Sequence, residues 1–248
     1  MIRWTQLGSG PPLVMAGALG TSRALWEQVE SRLANRFRII SYDLPGHGDS
    51  PPVGGDCSVA LLGAGVVGLL DELGIARAGF CGLSMGGATG MWLARNAPER
   101  IDRLVLACTS TRFGTAEAWR ERARTVRRRG LEPVVESAPE RWFTEAFRAA
   151  HPEQVEPVAA FLQGVDPGSY AALCDAIADW DFDGLGRIAA PALVISADAD
   201  PVSPPADGRR IADGIPEARL VVLDRCSHLA HVEQPVAVGG LIEEHMAA

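Results

Sequence analysis

Apolar positions along the chain fall into short runs separated by amphipathic stretches, and the two kinds of segment alternate. Pro12-Leu13-Val14-Met15-Ala16 reads as a buried strand, preceded by a hairpin strand and turn within residues 1–10. Leu25, Trp26, Val29 and Leu33 recur at helical spacing between Ser22 and Ala34, which predicts one buried helix face. Phe37 to Tyr42 is a second apolar run, and Val59 to Gly74 suits a helix, although Gly63, Gly65, Gly68 and Gly74 weaken it by propensity. A third run ends at Gly79-Phe80-Cys81-Gly82-Leu83, and the residues after Ser84 read as a helix. Arg103 to Cys108 is the next strand.

The alternation stops near Thr111. Some seventy residues of helical character follow, to about Asp181, with Pro133, Pro139, Pro152, Pro157 and Pro167 expected to cut them into short helices. Strand and helix alternate again from Pro191: a strand to Ser196, a helix near 206–213, a strand at Arg219–Leu223 and a last helix from Gln234. Strands alternating with helices predict a mostly parallel central sheet flanked by helices. The expected domains are an α/β core of residues 1–111 and 182–248, with residues 112–181 inserted as a helical cap.

The 248 residues suffice for one such domain with a large core. A net charge of −8 argues against nucleic acid as the main partner. All 23 basic residues are arginine, which excludes Schiff-base chemistry on lysine. Seven of them lie between Arg112 and Gly130 against only Glu117 and Glu121. That run reads as a solvated helix face, or else as a positive patch near the entrance to a site for acidic substrates. Five scattered cysteines without a Cys-x-x-Cys are read as core residues of a reduced, cytoplasmic protein. The N-terminus lacks a basic region followed by an apolar signal core, and Val59–Leu70 is too short and Gly-rich to span a bilayer, so neither secretion nor membrane insertion is expected. No metal set and no cofactor fingerprint is apparent, and a monomer or small homo-oligomer is expected.

The chemistry concentrates at Gly82-Leu83-Ser84-Met85-Gly86, a Gly-x-Ser-x-Gly pattern between a strand and a helix. On such a turn the serine hydroxyl projects above the sheet, and the glycines allow strand and helix to approach closely. A serine needs a base, an orienting carboxylate and oxyanion donors. Of five histidines, His245 is C-terminal, His151 lies in the helical insert, and His47 sits in a Gly-His-Gly turn with a structural role. His228, in the loop after the last strand, is the candidate base; His231, three residues on, is expected to face away. Asp198 and Asp200 both follow the preceding strand. Asp200 is favoured, with Pro-Val-Ser-Pro fixing its loop, and Asp198 alternatively binds loop backbone. The order Ser84, Asp200, His228 is the nucleophile–acid–histidine order of α/β-hydrolases. The N–H groups of Met85 and Leu19 are the expected oxyanion donors.

Longer segments narrow the resemblance. Ala18-Leu19-Gly20-Thr21 with Trp26, Tyr42-Asp43 with Gly46-His47-Gly48, Phe80 to Gly87, Arg141-Trp142-Phe143-Thr144, and Ser227-His228-Leu229-Ala230-His231-Val232-Glu233-Gln234-Pro235 resemble the 3-oxoadipate enol-lactonases over nearly the full length. Two departures stand out. Those enzymes commonly carry Ser-Asn-Ser-Leu-Gly where this chain has Ala16-Gly17-Ala18-Leu19-Gly20, and Thr-Arg-Gly-His-Gly where it has Leu44-Pro45-Gly46-His47-Gly48. The resemblance implies a small, acidic enol-lactone as substrate. Its carboxylate calls for a planar cation, for which Arg141 is the candidate, with Trp142 as a pocket wall; the alternatives are a surface ion pair and plain core packing. A carboxylesterase or lactonase acting on a secondary-metabolic ester, a non-hydrolytic enzyme of the same fold, and a ligand-binding module are the other readings.

Overall fold

Strand β4 (Ala78–Leu83) lies at the centre of the molecule, buried at every position. It can be apolar on both faces because neighbours flank it and helices cover it, which is why its sequence does not alternate. The computed structural model describes residues 2–248. Around β4 run β1 (Trp4–Leu7), β2 (Pro12–Ala16), β3 (Arg38–Tyr42), β5 (Ile101–Ala107), β6 (Ala192–Ala197) and β7 (Ala218–Leu223). They form one sheet in the order β1-β3-β2-β4-β5-β6-β7. All neighbouring pairs are parallel except β1 with β3, where Trp4 faces Tyr42.

The first strand is a correction. A hairpin near the N-terminus would pair β1 with β2, whereas β1 pairs antiparallel with β3 across the edge of the sheet. Gly8 and Gly10, both at positive φ, turn the chain back against the Ala34–Phe37 backbone instead of into a two-strand hairpin.

Helices α1 (Glu27–Leu33), α2 (Val59–Glu72) and α3 (Met85–Asn96) follow β2, β3 and β4, and α1 is preceded by a 3₁₀ turn at Arg23–Trp26. The glycines of α2 do not prevent its forming. Ser58 caps it by accepting the Leu61 N–H at 3.1 Å, and Gly63 lets α3 pack close, since a Cβ there would lie 2.0 Å from the Trp92 ring.

Five helices separate β5 from β6: α4 (Ala116–Arg129), α5 (Glu132–Trp142), α6 (Glu145–Ala150), α7 (Pro152–Gln163) and α8 (Pro167–Ala178). Pro133, Pro152 and Pro167 occupy first-turn positions, where a missing N–H costs nothing. Pro139 and Pro157 depart from expectation: both lie inside helices, α5 and α7, without breaking them. The insertion closes at its base through Trp180 Nε1–H to the Ser110 carbonyl (3.0 Å) and Phe182 N–H to the Thr111 carbonyl (2.9 Å). The chain finishes with α9 (Pro205–Gly214), the short α10 (Ala230–Glu233) and α11 (Pro235–Ala247). Among the described residues no helix is long and apolar enough to cross a membrane.

The passage from β4 into α3 is where the fold serves the site. A Cβ on Gly82 would sit 2.2 Å from the Gly86 carbonyl oxygen, and one on Gly86 would sit 2.6 Å from that of Ala16. Backbone occupies the space a side chain would need, so neither neighbour can yield. Gly82→Ala is expected to destabilise the fold by at least about 2 kcal/mol, read as a lowered urea midpoint at unchanged slope.

Candidate active site

Ser84 stands between β4 and α3 at φ 56°, ψ −115°. This left-handed conformation is unfavourable for any residue with a Cβ, and the surroundings hold it. The Ser84 N–H donates to the Ala107 carbonyl at 2.9 Å. Its own carbonyl accepts Ala88 N–H at 3.0 Å and the Thr109 hydroxyl at 2.7 Å. Next to it the Gly86 N–H donates to the Gly17 carbonyl at 3.1 Å, which ties the loop after β2 to the first turn of α3. Met85, first residue of that helix, is fully buried, and first-turn amides of a helix have no intrahelical acceptor.

The loops after β6 and β7 carry Asp200 and His228, the candidate acid and base. His228 Nδ1 lies 2.8 Å from Asp200 Oδ2, with both side chains buried. Asp200 also accepts Val202 N–H at 2.7 Å and Ser203 N–H at 3.1 Å on Oδ1, and the Ser203 hydroxyl at 2.7 Å on Oδ2. Burial alone would push its pKa up; His228 and the Ser203 donors outweigh burial and hold it below the usual carboxylate value. An ionised Asp200 in turn requires the proton on His228 Nδ1, leaving Nε2 free to accept. Asp198 is exposed and accepts the Cys226 N–H at 3.1 Å, so it braces the β7 loop as its alternative reading had it.

The remaining histidines lie elsewhere. His151 is exposed beside Glu153, and His245 meets the Pro191 carbonyl. His231 is buried with its ring 4.2 Å from that of Trp26, and burial followed by the proximity of His228 pushes its pKa down to about 3. Its buried Nδ1 has no hydrogen-bond partner among the described residues.

Ser84, His228 and Leu19 line one small cavity of about 20 Å³, room for a single water. Its other walls are Phe113, Trp119, Arg122, Arg141, Trp142, Tyr170, Ile177 and Val202. A second cavity of about 180 Å³ lies on the far side of Phe113, Trp119, Arg122, Arg141 and Val202, which therefore form a partition. Another cavity, of about 350 Å³, lies at the opposite end of the strands beside Pro12, Gly79 and Pro191. Its lining holds no serine, cysteine or histidine, and parallel sheets bind ligands at their carboxyl ends.

Sequence reasoning missed Arg122. Five of the seven arginines in its run pair with carboxylates: Arg112, Arg120 and Arg127 with Asp181, Asp179 and Asp175, and Arg124 and Arg128 with glutamates of α4 itself. Arg122 instead lies over Trp119, 4.5 Å from the ring centroid. The signal was present in the helical spacing, because Trp119, Arg122, Ala123 and Val126 share the inward face of α4. Arg141 is half-buried and in no surface ion pair; its Nε donates to the Ser137 carbonyl at 3.3 Å. Burial first, then the nearby Arg122, lower its pKa. Trp142 is buried both as cavity wall and as an anchor, its carbonyl accepting Leu229 N–H at 3.0 Å. Glu233 completes that join by accepting Ser227 N–H at 2.9 Å and Thr144 N–H at 2.6 Å.

The chain is similar to known proteins over nearly its full length. A profile of the alpha/beta hydrolase family matches residues 13–239. 3-Oxoadipate enol-lactonase 2 of Acinetobacter baylyi is 40% identical over 95% of this chain and 88% of its own length. The crystal structure of the enol-lactonase from Burkholderia xenovorans superposes with a TM-score of 0.97 at 34% identity, covering 100% of this chain and 96% of that one. A thermophilic esterase from Thermogutta terrifontis, solved with malate bound, gives 0.92 at 28% identity, covering 98% and 92%. The chain belongs to the alpha/beta hydrolase family, in its 3-oxoadipate enol-lactonase-like branch of carboxylic ester hydrolases.

The two candidate acids separate by mutation. Asp200→Asn is expected to lower kcat on the order of 10³–10⁴-fold, because the asparagine no longer selects the His228 tautomer, while Asp198→Asn leaves kcat close to wild type. Because the Asp200 pKa is depressed on folding, its stabilisation is present above the ordinary carboxylate pKa and is lost as pH falls through the folded value. Melting curves on acidification should show that loss in wild type and not in Asp200→Asn.

Proposed function

We propose that the protein is a serine hydrolase that opens a carboxylate-bearing enol-lactone, of 3-oxoadipate enol-lactone type, through an acyl-enzyme on Ser84. One observation carries the reading: the cavity that joins Ser84 to the His228–Asp200 pair is also lined by two arginines, Arg122 and Arg141, that form no ion pair among the described residues. The enol-lactonase names of the relatives support it.

In this mechanism His228 Nε2 takes the Ser84 proton as Oγ attacks the lactone carbonyl. The developing oxyanion receives the N–H groups of Leu19 and Met85. Collapse breaks the ring C–O bond, and His228 returns the proton to the departing enol oxygen, which tautomerises to the ketone. Water, deprotonated by His228, then releases the acid and restores Ser84. Residues 112–181 serve as a cap over the core of 1–111 and 182–248, and the partition on its underside has to shift, since the inner chamber admits only one water. No step calls for a cofactor or metal.

The second reading, a carboxylesterase or lactonase for a different ester, draws on the apolar Ala16-Gly17-Ala18 loop and on the likeness to an esterase. A spectrophotometric screen of acidic enol-lactones against neutral esters separates the two. Ser84→Ala is expected to reduce kcat on the order of 10⁴–10⁶-fold on every substrate; substantial residual turnover would eliminate the acyl-enzyme route. Arg122→Ala and Arg141→Ala are each expected to raise KM for an acidic lactone roughly 10–100-fold, the loss of a charge-assisted bond, while sparing p-nitrophenyl acetate. An equal effect on both substrates would discard the anchoring role.

A further inference from the structure

The loop after β2 supplies a proposed oxyanion donor, Leu19 N–H, and yet residues 16–20 contain no polar side chain. Whatever aims that N–H must come from outside the loop. Two residues do so, from either side of Leu19. Ahead of it, the Ala18 carbonyl accepts both the Thr21 hydroxyl at 2.8 Å and the Thr21 N–H at 3.2 Å. A trans peptide is planar, with its C=O and N–H pointing in opposite directions. Clamping the Ala18 carbonyl therefore sets the direction of the Leu19 N–H in the same plane, away from Thr21. Behind it, the Gly20 N–H donates to His47 Nε2 at 2.9 Å, which sets the next peptide plane.

We infer that Thr21 and His47 are the positioning residues of the oxyanion loop: by locking the peptide planes on both sides of Leu19, they hold its N–H toward the cavity above Ser84.

The state of His47 agrees with this role. Nε2 faces an N–H and must offer a lone pair, whereas Nδ1 lies 3.0 Å from the Pro45 carbonyl and must carry the hydrogen. One neutral tautomer meets both demands. The ring is completely buried, and burial, partly offset by the Pro45 carbonyl and Asp166, pushes its pKa down to about 4. Its backbone is equally constrained, with His47 N–H on the Leu44 carbonyl (3.0 Å) and Ser50 N–H on its own (2.9 Å). Gly46, at φ +72°, accepts the Asp166 N–H at 2.9 Å, and a Cβ on it would meet Ser169 at 2.3 Å. The turn that carries His47 is thus bolted to the start of α8, and the oxyanion loop is referenced to the helical insertion.

The inference rests on the acyl-enzyme reading, and the test keeps the two apart. His47→Leu, His47→Gln and Thr21→Val would be assayed for hydrolysis, for binding of a trifluoromethyl ketone that adds to Ser84 and carries an oxyanion, and for binding of adipate as a ground-state ligand. His47→Leu is expected to lower kcat and ketone affinity together, roughly 10–100-fold, with KM and adipate affinity within about twofold. The amide oxygen of His47→Gln can accept the Gly20 N–H and should restore most of the loss. Thr21→Val keeps its own N–H bond and should show a smaller loss of the same kind, and it carries the test if His47→Leu does not fold. Ketone affinity and kcat unchanged in a folded His47→Leu or Thr21→Val, or a His47→Gln no better than His47→Leu, would overturn the inference. A wild-type protein that fails to bind the ketone would instead overturn the serine-hydrolase reading on which it stands.

Discussion

A serine cannot hold itself at φ 56°. In a left-handed conformation the Cβ crowds the following carbonyl, at a cost of about 1–2 kcal/mol, and such a residue persists only where its surroundings over-determine it. Here two strand ends and one helix start converge to do so: Ala107 and Thr109 at the end of β5, Gly17 at the end of β2, and Ala88 in α3. The convergence is possible because Gly82, Gly86 and Gly87 present no side chain where backbone or Thr109 already stands. Everything catalytic that is proposed for the molecule is referenced to this point. The same contacts that strain Ser84 also bring Gly17, and with it Leu19, level with the helix terminus.

The other half of the site is assembled from far along the chain, and its precision comes from carboxylates that bind backbone. Asp200 holds its own loop through Val202 and Ser203 before it holds His228. Asp198 and Glu233 then secure the two residues immediately ahead of His228, Cys226 and Ser227, through their amides. Glu233 reaches in addition to Thr144, and Trp142 to Leu229, so the histidine loop and the α5–α6 junction share one set of bonds. That gives a physical reason for Arg141-Trp142-Phe143-Thr144 and the stretch from His228 to Gln234 to occur in one chain: each loop helps to hold the other.

Much of this was legible in the sequence. Buried parallel strands announce themselves as apolar runs without alternation, and β4 and, up to Ser196, β6 are of that kind. The Gly-x-Ser-x-Gly turn needs its glycines for a steric reason that any reader of the chain can state, and the loop positions of Asp200 and His228 follow from the strand count. What escaped prediction depended on partners that sequence does not name. The pairing of β1 turned on Gly8 and Gly10 rather than on any feature of Trp4–Leu7. Pro139 and Pro157 sit inside helices because tertiary packing overrides propensity. Arg122 looked like its six neighbours until Asp175, Asp179 and Asp181, in and just after α8, took three of them and α4 itself took two.

Under the proposed function, that last contrast gives a protein of net charge −8 one place that favours an anion. Arg112, Arg120, Arg124, Arg127 and Arg128 each face a carboxylate at the surface, so their charges are largely cancelled locally. Arg122 and Arg141 are not neutralised. They stand near one another in a partly dry partition, beside a Tyr170 whose phenol burial pushes up to about 12 and which therefore cannot serve as a counter-anion near neutral pH. Two like charges held together without a partner raise the free energy of the empty protein, and burial makes the repulsion stronger than it would be in water. A carboxylate arriving at the partition relieves both costs at once. A neutral ester gains nothing from the same two residues and must displace the partition unaided. Under the proposed function, selectivity for an acidic substrate follows from leaving these two cavity-lining arginines without an anion.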